Sequence, residues 1–350
     1  MMKALTVRPG RPDDVELSEV PDPDEAQGSV LVEGLAIGIC GTDLEIVAGQ
    51  YGEAPAGADR LILGHESLGR VLQDSSGRLS PGELVVGFVR HPDPVPCANC
   101  AVGEWDMCSN GRYTEHGIKQ MPGFGAQRYR LQPDRLVRLD PALESTGMLL
   151  EPTSILAKAW EVIERIGARS HGTPRRVLVT GAGPIGLLAA LLGVQRGLEV
   201  HVLDQVTDGP KPGLVRDLGA TYHSALDTAP TDVDIVIECT GVAQLVFDVM
   251  GRTAYNGIVC LTGVSSGGRT LSVDGGAINR ELVLENDVVF GSVNANGRHY
   301  EAAATALAAA DANWLSRLIT RRVPLSEFGA ALEQRPGDVK VVLELKDDDA

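Results

Sequence analysis

The chain has 350 residues, 43% hydrophobic and 22% charged, with 31 basic against 47 acidic side chains and a formal net charge of −16. That length exceeds one ordinary core and predicts two domains, while the acidic balance argues against nucleic acid, whose phosphates would be repelled over most of the surface. Of the six cysteines, three cluster at 97, 100 and 108, a metal pattern and not a disulfide framework, which fits a reducing cytoplasm.

In chain order, residues 1–8 turn polar too soon for a secretory apolar stretch, and no later apolar run is long enough to span a bilayer. A cytoplasmic protein with no membrane partner is therefore expected. Residues 30–39, 61–63 and 84–89 read as strands, with the turn cluster Asp74-Ser75-Ser76-Gly77 before the third. Their spacing predicts a compact β-barrel. Residues 158–166 read as a helix, and from there strands at 176–180, 200–203, 235–239, 258–262 and 288–293 alternate with helical stretches. That is the βαβ pattern of a doubly wound parallel sheet. An alanine-rich helix over 300–309 and a strand over 339–345 close the chain, ahead of an acidic run at 347–349. The predicted class is α/β, with one domain over 1–157 completed by 296–350 and a dinucleotide-binding domain over 158–295.

The chemistry concentrates at four places. Cys40, in Gly38-Ile39-Cys40-Gly41-Thr42-Asp43, sits where a β-like run meets a turn, a position from which a sulfur can point into a cleft. His65 lies between Gly64 and Glu66, and Glu151 precedes Pro152, so a helix is expected to begin just after it. One thiolate, one imidazole and up to two carboxylates suit a catalytic zinc with an open coordination position. Glu66 either ligates such a metal or orients His65 from behind.

The fourth place is Gly181-Ala182-Gly183-Pro184-Ile185-Gly186, between an apolar strand and an apolar helix. Such a turn holds a dinucleotide pyrophosphate on backbone amides at a helix N-terminus. Asp204 ends the next strand, where a carboxylate accepts from the adenosine ribose and repels a 2′-phosphate. NAD is therefore the expected cofactor, with Lys211 close enough to keep NADP open. A metal that acidifies an alcohol and a dinucleotide that accepts hydride together make a dehydrogenase.

On these motifs, with Gly64-His65-Glu66-Ser67-Leu68-Gly69, Glu151-Pro152 and Phe290-Gly291-Ser292-Val293-Asn294, the chain resembles the zinc-dependent medium-chain dehydrogenases over essentially its whole length. It looks most like their glucose (aldose) 1-dehydrogenase branch. The resemblance implies a GroES-like barrel completed by the C-terminal segment, with a Rossmann domain inserted. It implies a catalytic zinc on Cys40, His65, Glu66 and Glu151. Thr42, Glu66, Glu115 and Asn294 would then approach the substrate, and Thr240 and Asn294 the cofactor. The implied substrate is an aldose oxidised at C1, with another polyol, an aminocyclitol or a secondary alcohol as the alternative, and the implied assembly is a homodimer or homotetramer. Two departures stand out. The relatives' structural-zinc lobe has four cysteines, but Pro94 replaces the first here, leaving Cys97, Cys100 and Cys108 with His91 or Asp93 as a possible fourth donor. Glu45 stands where many alcohol-dehydrogenase relatives carry a relay histidine, so the proton route through Thr42 is open.

Overall fold

The computed structural model describes residues 1–346 apart from 266 and 269, so the acidic run expected at 347–349 lies outside the described residues. The chain divides into two compact units, Met1–Ser154 with Asn294–Ala350, and Ile155–Val293. Among the described residues no helix is long and apolar enough to cross a membrane.

The first unit is built on Val30–Ile39, a ten-residue strand whose first half alternates in burial and whose second half is buried throughout. A strand covered on both faces needs partners on both edges, and this one has three. It pairs antiparallel with Glu66–Asp74, with Arg128–Leu131 and with Lys340–Glu344. Leu84–Gly87, Leu136–Arg138 and Ile319–Pro324 complete the seven-stranded sheet. Its core is filled by buried side chains such as Val32, Ile37, Leu63, Val85, Phe124 and Leu343. The predicted turn at Asp74 is held by that carboxylate, which accepts from the backbone of Ser76, Arg78 and Leu79 at 2.8 to 2.9 Å.

The second unit holds six parallel strands, Arg176–Thr180, Glu199–Leu203, Thr221–His223, Val233–Glu238, Thr253–Leu261 and Val288–Gly291. Counted in chain order, they lie side by side as 3-2-1-4-5-6, the doubly wound Rossmann order. Thr221–His223 was not among the strands expected from sequence, being too short to show a period. The helix Pro184–Gln195 is apolar on every face because it is buried on every face.

One helix boundary differs from expectation. The helix predicted over 158–166 runs from Leu150 to Gly167, so Glu151 and Pro152 lie inside its first turn. Proline lacks only an N–H that the first turn leaves unpaired anyway. Glu151 is thereby fixed on a rigid turn, not on a preceding extended segment.

Candidate active site

Cys40 ends the first long strand and is the N-cap of the helix Gly41–Val47. Its sulfur lies 3.1 Å from His65 Nε2, and its backbone N–H donates to Asp43 Oδ2 at 2.9 Å. Asp43, fully buried, sets its other oxygen 3.3 Å from His65 Nδ1, so the carboxylate steers the imidazole from behind and leaves Nε2 facing the thiol. His65, Glu66 and Glu151 also offer donor atoms within 4.8 Å of one another, all buried. The four residues named from sequence thus converge, and Asp43 joins them. Thr42 is half-buried in the first turn of the same helix, and Glu45 is exposed.

The electrostatics of this pocket are lopsided. Asp43, Glu66 and Glu151 are buried carboxylic acids, and Lys340, itself buried, lies among them, while, against the pull of burial, the neighbouring Cys40 and Asp43 raise His65 well above the ordinary imidazole value. Lys340 Nζ contacts Glu66 Oε1 at 2.7 Å and Oε2 at 2.6 Å, and donates to the Ile39 carbonyl at 3.2 Å. Burial, with Glu66 adding to it against the opposing pull of His65, pushes the Glu151 carboxyl up to about 7. Crowded carboxyls that are hard to ionise in this pocket would be relieved by a divalent cation, and thiolate plus imidazole plus carboxylate is a zinc set. Gly38 makes room for the arrangement: a Cβ there would lie 2.0 Å from Glu66 Oε2.

Glu115 and Asn294, both named from sequence, touch directly. Asn294 Nδ2 and Arg90 Nε each donate to Glu115 Oε1 at 2.9 Å. The Arg90 guanidinium in turn stacks 3.6 Å above the Tyr113 ring. Arg90 was not anticipated from sequence; its position opposite Glu115 in a short antiparallel ladder is what pairs them.

The cysteine lobe brings the sulfurs of Cys97, Cys100 and Cys108 within 4.8 Å of one another. Backbone N–H groups, that of Cys100 first, lower the Cys97 thiol to about 5, while burial and its two neighbours push Cys100 up to about 11. The fourth donor suggested by sequence does not join them. Asp93 is taken by Val95 N, Asn110 Nδ2 and Arg112 Nε at 2.9, 2.6 and 3.1 Å, and His91 packs its ring against His116. Both sit close in sequence, but a strand and a turn carry them elsewhere.

In the second unit the glycines of the loop have distinct reasons. Gly181 adopts φ +85°, and a Cβ on Gly186 would lie 1.7 Å from the Gly181 carbonyl oxygen. Gly183, the N-cap ahead of Pro184 and Ile185, has open space where its Cβ would be. Asp204 ends the second strand but is not a free carboxylate: Ala182 N and Lys211 Nζ bond Oδ2 at 2.7 and 3.0 Å, and Val206 N bonds Oδ1 at 2.9 Å. Thr240 is held by Glu238, a buried acid that accepts from Thr240 N at 2.8 Å, Gly241 N at 3.1 Å and Thr180 Oγ1 at 3.1 Å. Glu238 was missed, although a lone acid closing the apolar run Ile235-Val236-Ile237 is a visible signal.

A GroES-like sheet carrying a Cys–His–carboxylate pocket, with a Rossmann unit inserted in its sequence, defines the class as an alcohol-dehydrogenase-type oxidoreductase. Residues 26–141 match the family "Alcohol dehydrogenase GroES-like domain" and residues 144–345 match "Glucose dehydrogenase C-terminus". The glucose 1-dehydrogenase of Methanocella arvoryzae is 39% identical, with 98% of this chain and 99% of that protein covered. That of Thermoproteus tenax is 38% identical, with 99% and 100% covered. Among solved structures, Haloferax mediterranei glucose dehydrogenase in complex with NADP, Zn and gluconolactone superposes with a TM-score of 0.91 at 32% identity, covering 99% of this chain and all of that one. The chain belongs to the zinc-dependent medium-chain dehydrogenases, in their glucose 1-dehydrogenase branch.

Proposed function

We propose that the protein oxidises an aldose, glucose or a close relative, at C1 to the aldonolactone, using zinc and NAD or NADP. The observation that carries this reading is the convergence on His65 of the Cys40 sulfur on one side and the buried carboxylates Glu66 and Glu151 on the other, a thiol, an imidazole and carboxylates within one pocket. Cys40, His65 and Glu151 would hold the metal, with Glu66, already bound through both oxygens to Lys340, as a further ligand or support. Zinc held there would supply Lewis acidity to lower the pKa of the reacting hydroxyl, and a bound oxidised nicotinamide would supply the hydride acceptor for C1.

The chain's own residues then do the rest. Asp43 keeps His65 Nε2 toward Cys40. Thr42, two residues beyond Cys40, is assigned the hydroxyl that relays the departing proton, since Glu45 points to solvent. Glu115, oriented by Arg90 and Asn294 through Oε1, offers Oε2 to a sugar hydroxyl. A site of this kind rejects substrates lacking the hydroxyl, because a buried polar group would be left unpaired. On the dinucleotide, Gly181, Gly183, Pro184, Ile185 and Gly186 cradle the pyrophosphate, with Asp204 and Lys211 at the adenosine ribose and Thr240 and Asn294 as further contacts. Cytoplasmic location and assembly as a dimer or tetramer are part of the same proposal.

A substrate panel followed by absorbance of the reduced dinucleotide tests it. D-glucose, galactose or xylose should be turned over with kcat/KM well above simple alcohols, and the sample should contain zinc. An inositol, amino sugar or acyclic polyol oxidised better than any aldose would hand the site to the alternative.

A further inference from the structure

Glu238 closes the fourth strand of the parallel sheet, Val233–Glu238, and pairs in register with Thr180 at the end of the first, Arg176–Thr180. In the order 3-2-1-4-5-6 these are the two neighbours from which the chain proceeds outward in opposite directions. The crevice above their carboxyl ends is where a doubly wound sheet takes a dinucleotide. Gly181, in the pyrophosphate loop, approaches the same place, since a Cβ on it would lie 3.0 Å from Thr240 Cγ2.

The Glu238 side chain is fully buried there. Its Oε1 accepts from Thr180 Oγ1 at 3.1 Å, from Thr240 N at 2.8 Å and from the Thr240 hydroxyl, and Oε2 accepts from Gly241 N at 3.1 Å. The hydroxyls are oriented by their other neighbours. Thr180 Oγ1 accepts from Cys239 N at 3.3 Å and Thr240 Oγ1 from Val242 N at 3.0 Å, so both hydroxyl protons point to the carboxylate. Gly263 leaves it room: a Cβ there would lie 2.7 Å from Oε2. Every partner of Glu238 is thus a neutral donor. Such donors solvate an anion without cancelling its charge, and among the described residues no basic side chain forms an ion pair with it. A buried charge without a counter-charge is costly, and its field carries through low-dielectric protein into the crevice.

A dinucleotide brings one cation to this crevice. The glycine loop and Asp204 belong to strands 1 and 2 and take the pyrophosphate and the adenosine side, which leaves the nicotinamide to the half that strand 4 begins. Its ring is positively charged when oxidised and neutral when reduced. We propose that Glu238 sets a preference for the oxidised dinucleotide, its charge stabilising the cationic nicotinamide and doing nothing comparable for the reduced ring. Repulsion of the pyrophosphate by the same carboxylate is common to both forms and cancels between them. Dinucleotide binding by this sheet is all that this requires, and the identity of the sugar does not enter.

Dissociation constants measured without sugar test it, by calorimetry for NAD+ and by fluorescence for NADH, with ADP-ribose, which lacks the nicotinamide, as the control. Glu238→Gln removes the charge at nearly constant size. It should raise the ratio of the NAD+ constant to the NADH constant by about tenfold, the scale of one unit charge acting through protein, while the ADP-ribose constant follows that of NADH. Glu238→Ser, neutral and with room for water, repeats the measurement should circular dichroism show the glutamine variant unfolded. Glu238→Asp keeps the charge and should move the ratio by less than about threefold even where both forms bind more weakly. Neutral variants that weaken both redox forms equally would reduce Glu238 to a brace for the Thr240–Gly241 turn and overturn the proposal. An aspartate variant that shifts the ratio as far as glutamine does would overturn it as well.

Discussion

Lys340 holds both carboxylate oxygens of Glu66, at 2.7 and 2.6 Å, with 2% and 3% of the two side chains exposed. This buried pair decides what Glu66 can do. Its charge is already matched inside the protein, so it braces the pocket whether or not it also reaches the metal.

Breaking the pair should be expensive. Lys340→Met leaves the Glu66 carboxylate buried and alone, with an expected loss of about 3–5 kcal/mol. Adding Glu66→Gln should recover most of it, and a double-mutant cycle from urea unfolding measures the coupling. Gly38→Ala should reproduce part of the single-mutant defect by displacing Glu66. A Lys340→Met protein as stable as the wild type would show that the lysine contributes nothing net.

Removal of the catalytic metal should separate chemistry from dinucleotide binding. Cys40→Ser is expected to lose zinc by elemental analysis and turnover by about a hundredfold or more, since the thiolate proposed to hold the metal is gone. Binding of the reduced dinucleotide, followed by fluorescence, should change little, because the glycine loop is built by other strands. Wild-type turnover in metal-free protein is the contrary result.

Cofactor choice turns on the ion pair between Lys211 and Asp204. With Asp204 bonded to Lys211 and two backbone amides, its repulsion of a 2′-phosphate is blunted. Both NAD and NADP should therefore support activity. Lys211→Ala should shift the kcat/KM ratio toward NAD by about tenfold, equivalent to about 1.4 kcal/mol. An unchanged ratio would remove Lys211 from the phosphate contact.

For the cysteine lobe, metal analysis should approach two zinc ions per chain, and Cys100→Ala should remove one while mainly lowering the melting temperature. One ion per chain, with three thiols that react freely, would mean a metal-free lobe.

Acid should destabilise the protein through His91 and His116. Their folded values, about 3 and about 4, lie below the ordinary 6.5, so between those limits the unfolded chain binds protons that the folded one cannot. Stability is then present at neutral pH and lost as pH falls from 6.5 toward 4, by up to about 1.4 kcal/mol per pH unit for each group. Urea midpoints across that window should slope less steeply in His116→Phe.

Much of this was legible in the sequence because its signals are local. The glycine turn between two apolar runs placed the dinucleotide loop, and the strand period placed Val30–Ile39 with Cys40 at its end. Partnerships made by tertiary contact were hidden. Lys340 reads as an interruption in an apolar strand until the pairing of Val341 with Ile39 brings it to Glu66. Arg90 and Glu238 acquire meaning only through the strands beside them. Proximity in sequence misled once, when His91 and Asp93 were offered to the cysteine lobe, because backbone direction and not spacing decides where a side chain points.

Glu66 and Lys340 are 274 residues apart in sequence. A ribosome adding about 5–20 residues per second needs roughly 15–55 s to go from one to the other. Throughout that interval part of one edge of the strand Val30–Ile39 stays unfilled, whereas the last strand of the Rossmann sheet, Val288–Gly291, is made before Lys340. Translation therefore assembles the nucleotide-binding half first and the metal-binding half last, and a stalled or clipped product would carry a folded Rossmann unit with no working metal pocket.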